Sequence, residues 1–491
     1  MKRLFIFGIG GTGSRVIESL VYLLAAGVEI RDAAGEPIEI VPMLLDTDAD
    51  NQDTIDSVKV LELYEKLHKA SGRSAFFGTK ISRLASLAQR PGGNISPSFW
   101  LKYKGVQQAF GNFIDYDQIS SLATKRLLEG LYSDENMNDS LTGGFLGNPN
   151  VGAVVLSGFK DTDDFDLFAT SFNSGDRIFI VGSIFGGTGA AGLPWLQKSL
   201  RSTDQRAGAA DAIRQALVGA LVVLPYFKLE TDEDSHIDSN AFITKTKAAL
   251  TYYHQHVIDL NAIYYIADTA KKSYPNHESG VKQNNAAHLV ELMGALAIRD
   301  FVQIPEDEFS GQTLYHEFAI AKDEEVLTFS TLGQHTAEVF ARELTQLAML
   351  AVLNRDHFDK AMHQPWAVKN GFTKFFFKTS DYQDLSTFLQ KYFSQWVKEL
   401  GENRRAFAPF AGFGDKGESG AIPITASDMA LLRPDLPVRS KWFQPGLSGE
   451  RLDIAANNMR PLEYEDKGSL QRFLTLWSQA TRSMYDDCYG G

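Results

Sequence analysis

Two glycine-rich runs, each set between a short apolar segment and a helical pattern, constrain this chain more than any other feature. Gly8-Ile9-Gly10-Gly11-Thr12-Gly13-Ser14 follows the apolar residues 4–7 and leads into a helical stretch over 15–26. Gly182-Ser183-Ile184-Phe185-Gly186-Gly187-Thr188-Gly189-Ala190-Ala191-Gly192 follows the apolar residues 177–181 and leads into another. Positions without side chains let backbone N–H groups approach an anion closely, and the next helix adds its positive dipole end. A strand, glycine turn and helix used twice predict an open, mostly parallel α/β sheet whose two turns converge on one polyphosphate at the carboxyl edge of the strands.

The remaining order of elements fits that frame. The 15–26 helix carries Val16, Leu20, Leu23 and Leu24 at helical spacing, and Gly27 closes it. A strand over 38–45 ends at Asp46-Thr47-Asp48, where a nucleotide or its metal would stand, although acids there also serve as helix caps. Residues 51–141 read as an inserted helical subdomain. The turn Gly147-Asn148-Pro149-Asn150-Val151-Gly152 comes next, with Asn148 able to cap a helix and Pro149 suited to its first position. A buried strand over 217–224 is followed by Pro225-Tyr226-Phe227-Lys228-Leu229-Glu230. Gln283-Asn284-Asn285 is expected to open a long central helix through Asp300, ahead of Ile304-Pro305-Glu306-Asp307-Glu308. Beyond it the pattern predicts strands over 314–320 and 326–332, a helix over 335–353, an aromatic strand over 372–377, and helices over 384–400 and near 470–485. The expected division is a nucleotide-binding domain over 1–282, a central helix and following loop over 283–310, and a smaller C-terminal α/β domain over 311–491.

Composition removes several function classes. The chain of 491 residues has a net charge of −13 and no Lys/Arg-rich block, so no nucleic-acid partner is expected. Cys488 is the single cysteine, which excludes an internal disulfide and suits a reducing cytoplasm. No apolar run reaches membrane-spanning length and the N-terminal apolar segment is too short for a signal core, so a cytoplasmic protein without membrane insertion is expected. No Gly-Lys-Ser/Thr tripeptide occurs, which excludes a Walker-type ATPase. His254 and His256 lie two apart on a helix and face different directions, and His316-Glu317 lacks the second histidine of a zinc protease motif.

Taken in order, the loops resemble those of the tubulin/FtsZ superfamily, in its prokaryotic branch. Gly8–Ser14 looks like the first phosphate loop, Asp46-Thr47-Asp48 like the second, and Gly147–Gly152 like the third, which senses the γ-phosphate. Phe185-Gly186-Gly187-Thr188-Gly189-Ala190 is similar to the signature loop, with Phe185 and Ala190 departing from it. Pro225–Glu230 resembles the fifth loop with one extra residue. The resemblance covers roughly residues 1–310 and implies a Rossmann-like GTPase domain with GTP or GDP as ligand and Mg2+ offsetting phosphate charge. It assigns phosphate contacts to Gly10, Gly11, Thr12, Gly13, Ser14, Asn148, Gly186, Gly187, Thr188, Gly189 and Ala190, the second loop to Asp46, Thr47 and Asp48, the ribose to Glu230, and guanine to Asn284 or Asn285. It also implies head-to-tail self-association into polymers, with hydrolysis at the subunit interface. Glu306, Asp307 and Glu308 stand where the family carries its activating acids, without the Asn-x-Asp-x-x-Asp pattern.

Two rival readings differ in class. Gly8-x-Gly10-Gly11-x-Gly13 also fits a dinucleotide fingerprint with Asp46 or Asp48 on the ribose, which would make an NAD-dependent enzyme. That reading leaves the second glycine run and the Asn-Pro turn without a role. The other rival is a nucleotide-binding switch or scaffold that has lost hydrolysis, in keeping with the altered activating loop.

Overall fold

The computed structural model describes residues 1–48, 50–72, 74–88, 94–101, 106–145, 148–202, 210–229, 239–257, 259–269, 273–274, 285–318, 325–403, 405–413, 424–437, 449–459 and 468–489. The fold is α/β, built on a seven-stranded, wholly parallel sheet. In chain order its strands are β1 (Arg3–Ile9), β2 (Glu39–Leu45), β3 (Trp100–Leu101), β4 (Arg177–Ser183), β5 (Leu217–Val223), β6 (Ala262–Ile266) and β7 (Leu314–Phe318), arranged β3-β2-β1-β4-β5-β6-β7. Strands β1, β4 and β5 read as nearly continuous apolar runs because both faces of the sheet are covered.

Alternate residues supply two cores. Leu4, Ile6, Phe179, Val181, Leu221 and Val223 face the helices α1 (Gly10–Ala26) and α6 (Leu289–Gln303) and the C-terminal helices. Phe5, Phe7, Ile178, Ile180, Ala220 and Val222 face the helix α5 (Gly187–Arg201) and the rings of Phe165, Phe168 and Phe172. The central helix lies very close to the sheet: a methyl group on Gly294 would stand 2.6 Å from Leu221 Cδ2 and 3.2 Å from Val16.

The 51–141 stretch begins with α2 (Gln52–Ser71), which packs on α1, and contributes the edge strand β3 beside β2. A smaller unit with the exposed helix α3 (Leu122–Leu131) follows, anchored by Phe110, Leu141 and Phe145 against Val151 and Val155 of α4 (Pro149–Ser157) and Ala191 of α5.

The C-terminal part is mostly helical: α7 (Ala341–Asp356), α8 (Ser380–Thr387), a π-helical turn at Phe388–Phe393, α9 (Ser394–Glu402) and α10 (Ser469–Tyr489). Its ladder pairs Val326–Leu327 with Ala406–Phe407. Several expectations differ here. The strand expected over 314–320 is β7 and extends the main sheet beside β6. Alternation marks a strand but not the sheet it joins. The aromatic stretch 372–377 is turns followed by a 3-10 turn at Phe376–Lys378. Phe372, Phe376 and Phe377 close on Phe473 of α10, while Phe375 is 84% exposed, so ring packing overrides the local strand preference.

Candidate phosphate-binding site

The two glycine runs meet at the carboxyl end of the central strands. β1 passes directly into α1 at Gly10 and β4 into α5 at Gly187, and neither helix start has a side-chain cap or an acid in its first turn. The first amides of a helix have no intrahelical partner, so both ends are open to an anion. A methyl group on Gly10, whose φ is +69°, would stand 3.5 Å from Thr188 Cβ and 3.9 Å from the Gly189 nitrogen. The loops therefore touch. The same closeness runs beneath them: a methyl on Gly13 would lie 2.6 Å from the Gly8 carbonyl carbon and 3.0 Å from the Val181 oxygen, and one on Gly189 2.5 Å from the Ser183 oxygen. Thr12, Ser14, Gly187, Gly189 and Ala190 are buried, and Gly11, Gly186 and Thr188 are partly open.

The third loop arrives beside the second run. Pro149 occupies the first position of α4 and Asn148 its cap position, but the Asn148 side chain makes no capping bond, so a third helix start is open. A methyl on Gly152 would stand 2.9 Å from Ala191 Cβ, which sets α4 against α5. Gly147 lies outside the described residues.

Asp46, Thr47 and Asp48 are buried at the end of β2. Asp46 accepts from the Asp48 N–H at 3.2 Å, from Thr54 Oγ1 at 3.3 Å and from Asn51 Nδ2 at 3.3 Å. Burial pushes its carboxyl up to about 7. Thr54 in turn lies 3.2 Å from Ser14 Oγ, so Asp46 organises the loop and ties it to α1. Thr47 Oγ1 is buried without a hydrogen-bond partner among the described residues. The open helix starts and this unsatisfied hydroxyl fit a phosphate ligand. Among the described residues no group of three or more His, Cys, Asp or Glu could hold a metal ion.

One helical turn beyond Gly11 lies a polar core that the sequence reading missed. Arg15 donates from Nε to Glu291 Oε1 at 2.6 Å, from Nη2 to the Tyr226 hydroxyl at 2.7 Å, and from Nη1 to Asp53. Burial opposes its charge, while Tyr226, Asp53 and Glu291 raise its pKa well above the ordinary value. A signal existed: Glu291 is the one charge in the apolar stretch 289–298, and Arg15 stands at the head of the apolar run of α1. This core walls a pocket of about 320 Å³, whose other sides are Glu18 and Tyr22 of α1, Trp396 and Glu399 of α9, and Asn285. Burial pushes the Glu18 carboxyl up to about 7 and raises that of Glu399.

Asn285 does not open the central helix. The helix starts at Leu289, capped by His288 in a capping box with Glu291. Asn285 donates instead from its backbone N–H to Asp53 Oδ1 at 3.0 Å and from Nδ2 to Asp53 Oδ2 at 3.1 Å, so it faces the pocket with its amide donor engaged. Asn284 and Glu230 lie outside the described residues. Glu306, Asp307 and Glu308 form an exposed 3-10 turn after α6, with Glu306 3.9 Å from Lys2 Nζ just before β1. The acids are thus at the amino end of the sheet, roughly 20 Å from the loops by the rise of a seven-residue strand.

No family model and no curated protein matches the chain. Among solved structures it is similar to CetZ2 from Haloferax volcanii, a tubulin/FtsZ-like protein described as a GTPgS-bound protofilament, at 13% identity with a TM-score of 0.28. The match covers 62% of this chain and 60% of that one, so the chain spans about three fifths of that neighbour's length. Likeness at this level leaves the reading of the site to its own geometry.

Proposed function

We propose that this chain is a tubulin/FtsZ-like protein that binds GTP between its two glycine loops and assembles head to tail. The observation that carries the reading is the contact of the Gly10 and Thr188 loops, each opening an uncapped helix, at one end of a parallel sheet. Backbone amides of 10–14 and 186–190 would hold the phosphates, with the Thr188 hydroxyl beside them. Mg2+, when bound, would neutralise phosphate charge. The base would enter the 320 Å³ pocket, where the Glu18 and Glu399 carboxyls offer acceptors. Guanine presents N1–H and N2–H2 donors to such a wall, and adenine does not present that pair. Asn285 would act by positioning Asp53.

Hydrolysis needs acids in line with the γ-phosphate, and Glu306, Asp307 and Glu308 can supply them only to a neighbouring molecule, because within one chain they lie at the far end of the sheet. Their exposure also suits the second reading, a nucleotide switch that does not hydrolyse.

Calorimetry with GTP, ATP and NAD tests the proposal. The expected result is GTP binding at least tenfold tighter than ATP and no NAD binding, with affinity lost in Gly187→Val/Thr188→Val. NAD as the preferred ligand would overturn it.

A further inference from the structure

A second polar cleft lies at the opposite end of the molecule. Its volume is about 1360 Å³, and its walls are the carboxyl ends of α1 and α6, the stretch after α2, and the facing sides of α7 and α10. In a chain of net charge −13, this cleft gathers Arg31, Lys80, Arg299, Arg342 and Arg482 against two acids among the described residues, Glu29 and Glu343. Arg31, Lys80 and Arg342 already pair with Glu29, Glu39 and Asp486. Among the described residues Arg299 donates to neutral oxygens, the Glu29 carbonyl at 3.3 Å and Gln303 Oε1 at 3.0 Å. Among the described residues no close ion pair engages Arg299 or the exposed Arg482, and the one acid that acts on both is the Glu343 carboxylate, from a distance. Arg342 Nε and Glu343 Oε2 are buried here without hydrogen-bond partners among the described residues.

We propose that this cleft binds a small phosphorylated molecule of nucleotide size, at a site separate from the glycine loops. The guanidinium groups of Arg299 and Arg482 present planar forks that match phosphate oxygens in pairs. A lone phosphate would leave most of the cleft empty, since small-molecule sites commonly occupy about 300–1,000 Å³. The amides of Gln303, Gln346 and Gln479 and the hydroxyl of Ser478 offer both donors and acceptors to the polar body of an ester. The ligand would bridge α6 and α10.

Calorimetric titration of the full chain with pyrophosphate tests the proposal by counting sites. Wild type is expected to bind two per chain. Gly187→Val/Thr188→Val should retain the cleft site, and Arg299→Gln/Arg482→Gln should retain the loop site with the cleft site weakened at least tenfold. Arg482→Gln alone, at an exposed position, should weaken the cleft site at least threefold and serves if the double variant does not fold. A single site lost only in the loop variant would overturn the cleft and leave the loop reading standing. A single site lost only in the arginine variants would do the reverse.

Discussion

At the scale of single residues, this site is organised by charges placed where helices are otherwise apolar. Arg15 links Asp53, Glu291 and Tyr226, so α1, α2, α6 and the segment after β5 meet at one guanidinium. Removing one partner of such a set would strand the others in a low-dielectric interior, whereas the whole set is self-satisfied. Glu18, one turn further along α1, accepts from the Tyr22 hydroxyl at 2.8 Å and from Ser57 Oγ at 2.9 Å. Its pKa is raised by burial from 4.5 to about 7. Between those values the folded chain holds a proton that the unfolded chain has released, so this group makes stability fall as pH rises through that window. Glu18→Gln is therefore expected to flatten the stability profile there by on the order of 1–2 kcal/mol. Asp46 carries the same sign and should leave a residual slope. Urea unfolding at half-unit pH steps measures both, and an unchanged slope in Glu18→Gln would show that its proton is not linked to folding.

At the scale of elements, the loops work because backbone approaches backbone where a helix leaves a strand. A methyl on Gly189 would meet the Ser183 oxygen at 2.5 Å and nitrogen at 2.7 Å, and neither atom can move without shifting the end of β4. Gly189→Ala is expected to cost about 1–3 kcal/mol. Gly130 on the exposed helix α3 has nothing within 4 Å of an added methyl, so Gly130→Ala should stabilise by about 0.5–1 kcal/mol through helix propensity. Denaturant unfolding of the pair separates close approach from propensity. Equal effects would mean that the Gly189 contact is slack.

At the scale of the whole molecule, the sheet separates two ends of different character: open helix starts at one, and the acidic turn with the arginine-lined cleft at the other. Head-to-tail contact would bring them together, and a heterologous interface that does not close yields filaments. Light scattering with GTP against GDP is expected to rise with GTP only, and turnover per chain should increase with protein concentration. Glu306→Ala/Asp307→Ala/Glu308→Ala should cut turnover at least tenfold while polymers persist or lengthen. Unchanged turnover would remove these acids from catalysis, and absence of scattering at every concentration would favour the switch.

The strand–glycine–helix units at Gly8–Ser14 and Gly182–Gly192 were legible in the sequence because their cause is local: a glycine turn, an apolar run before it and a 3.6-residue period after it. From them the parallel sheet and its loop-bearing edge followed. What only the tertiary structure decided depends on residues distant in the chain. The central helix starts at Leu289 because His288 and Glu291 close its capping box, while Asn285 turns to Asp53, 232 positions earlier. Arg15 and Glu291 stood out as charges among apolar residues, but the pocket they wall with Glu399, the joining of β7 to the main sheet, and the gathering of Arg299 with Arg482 did not, because a charge shows its partner only once the chain has closed around it.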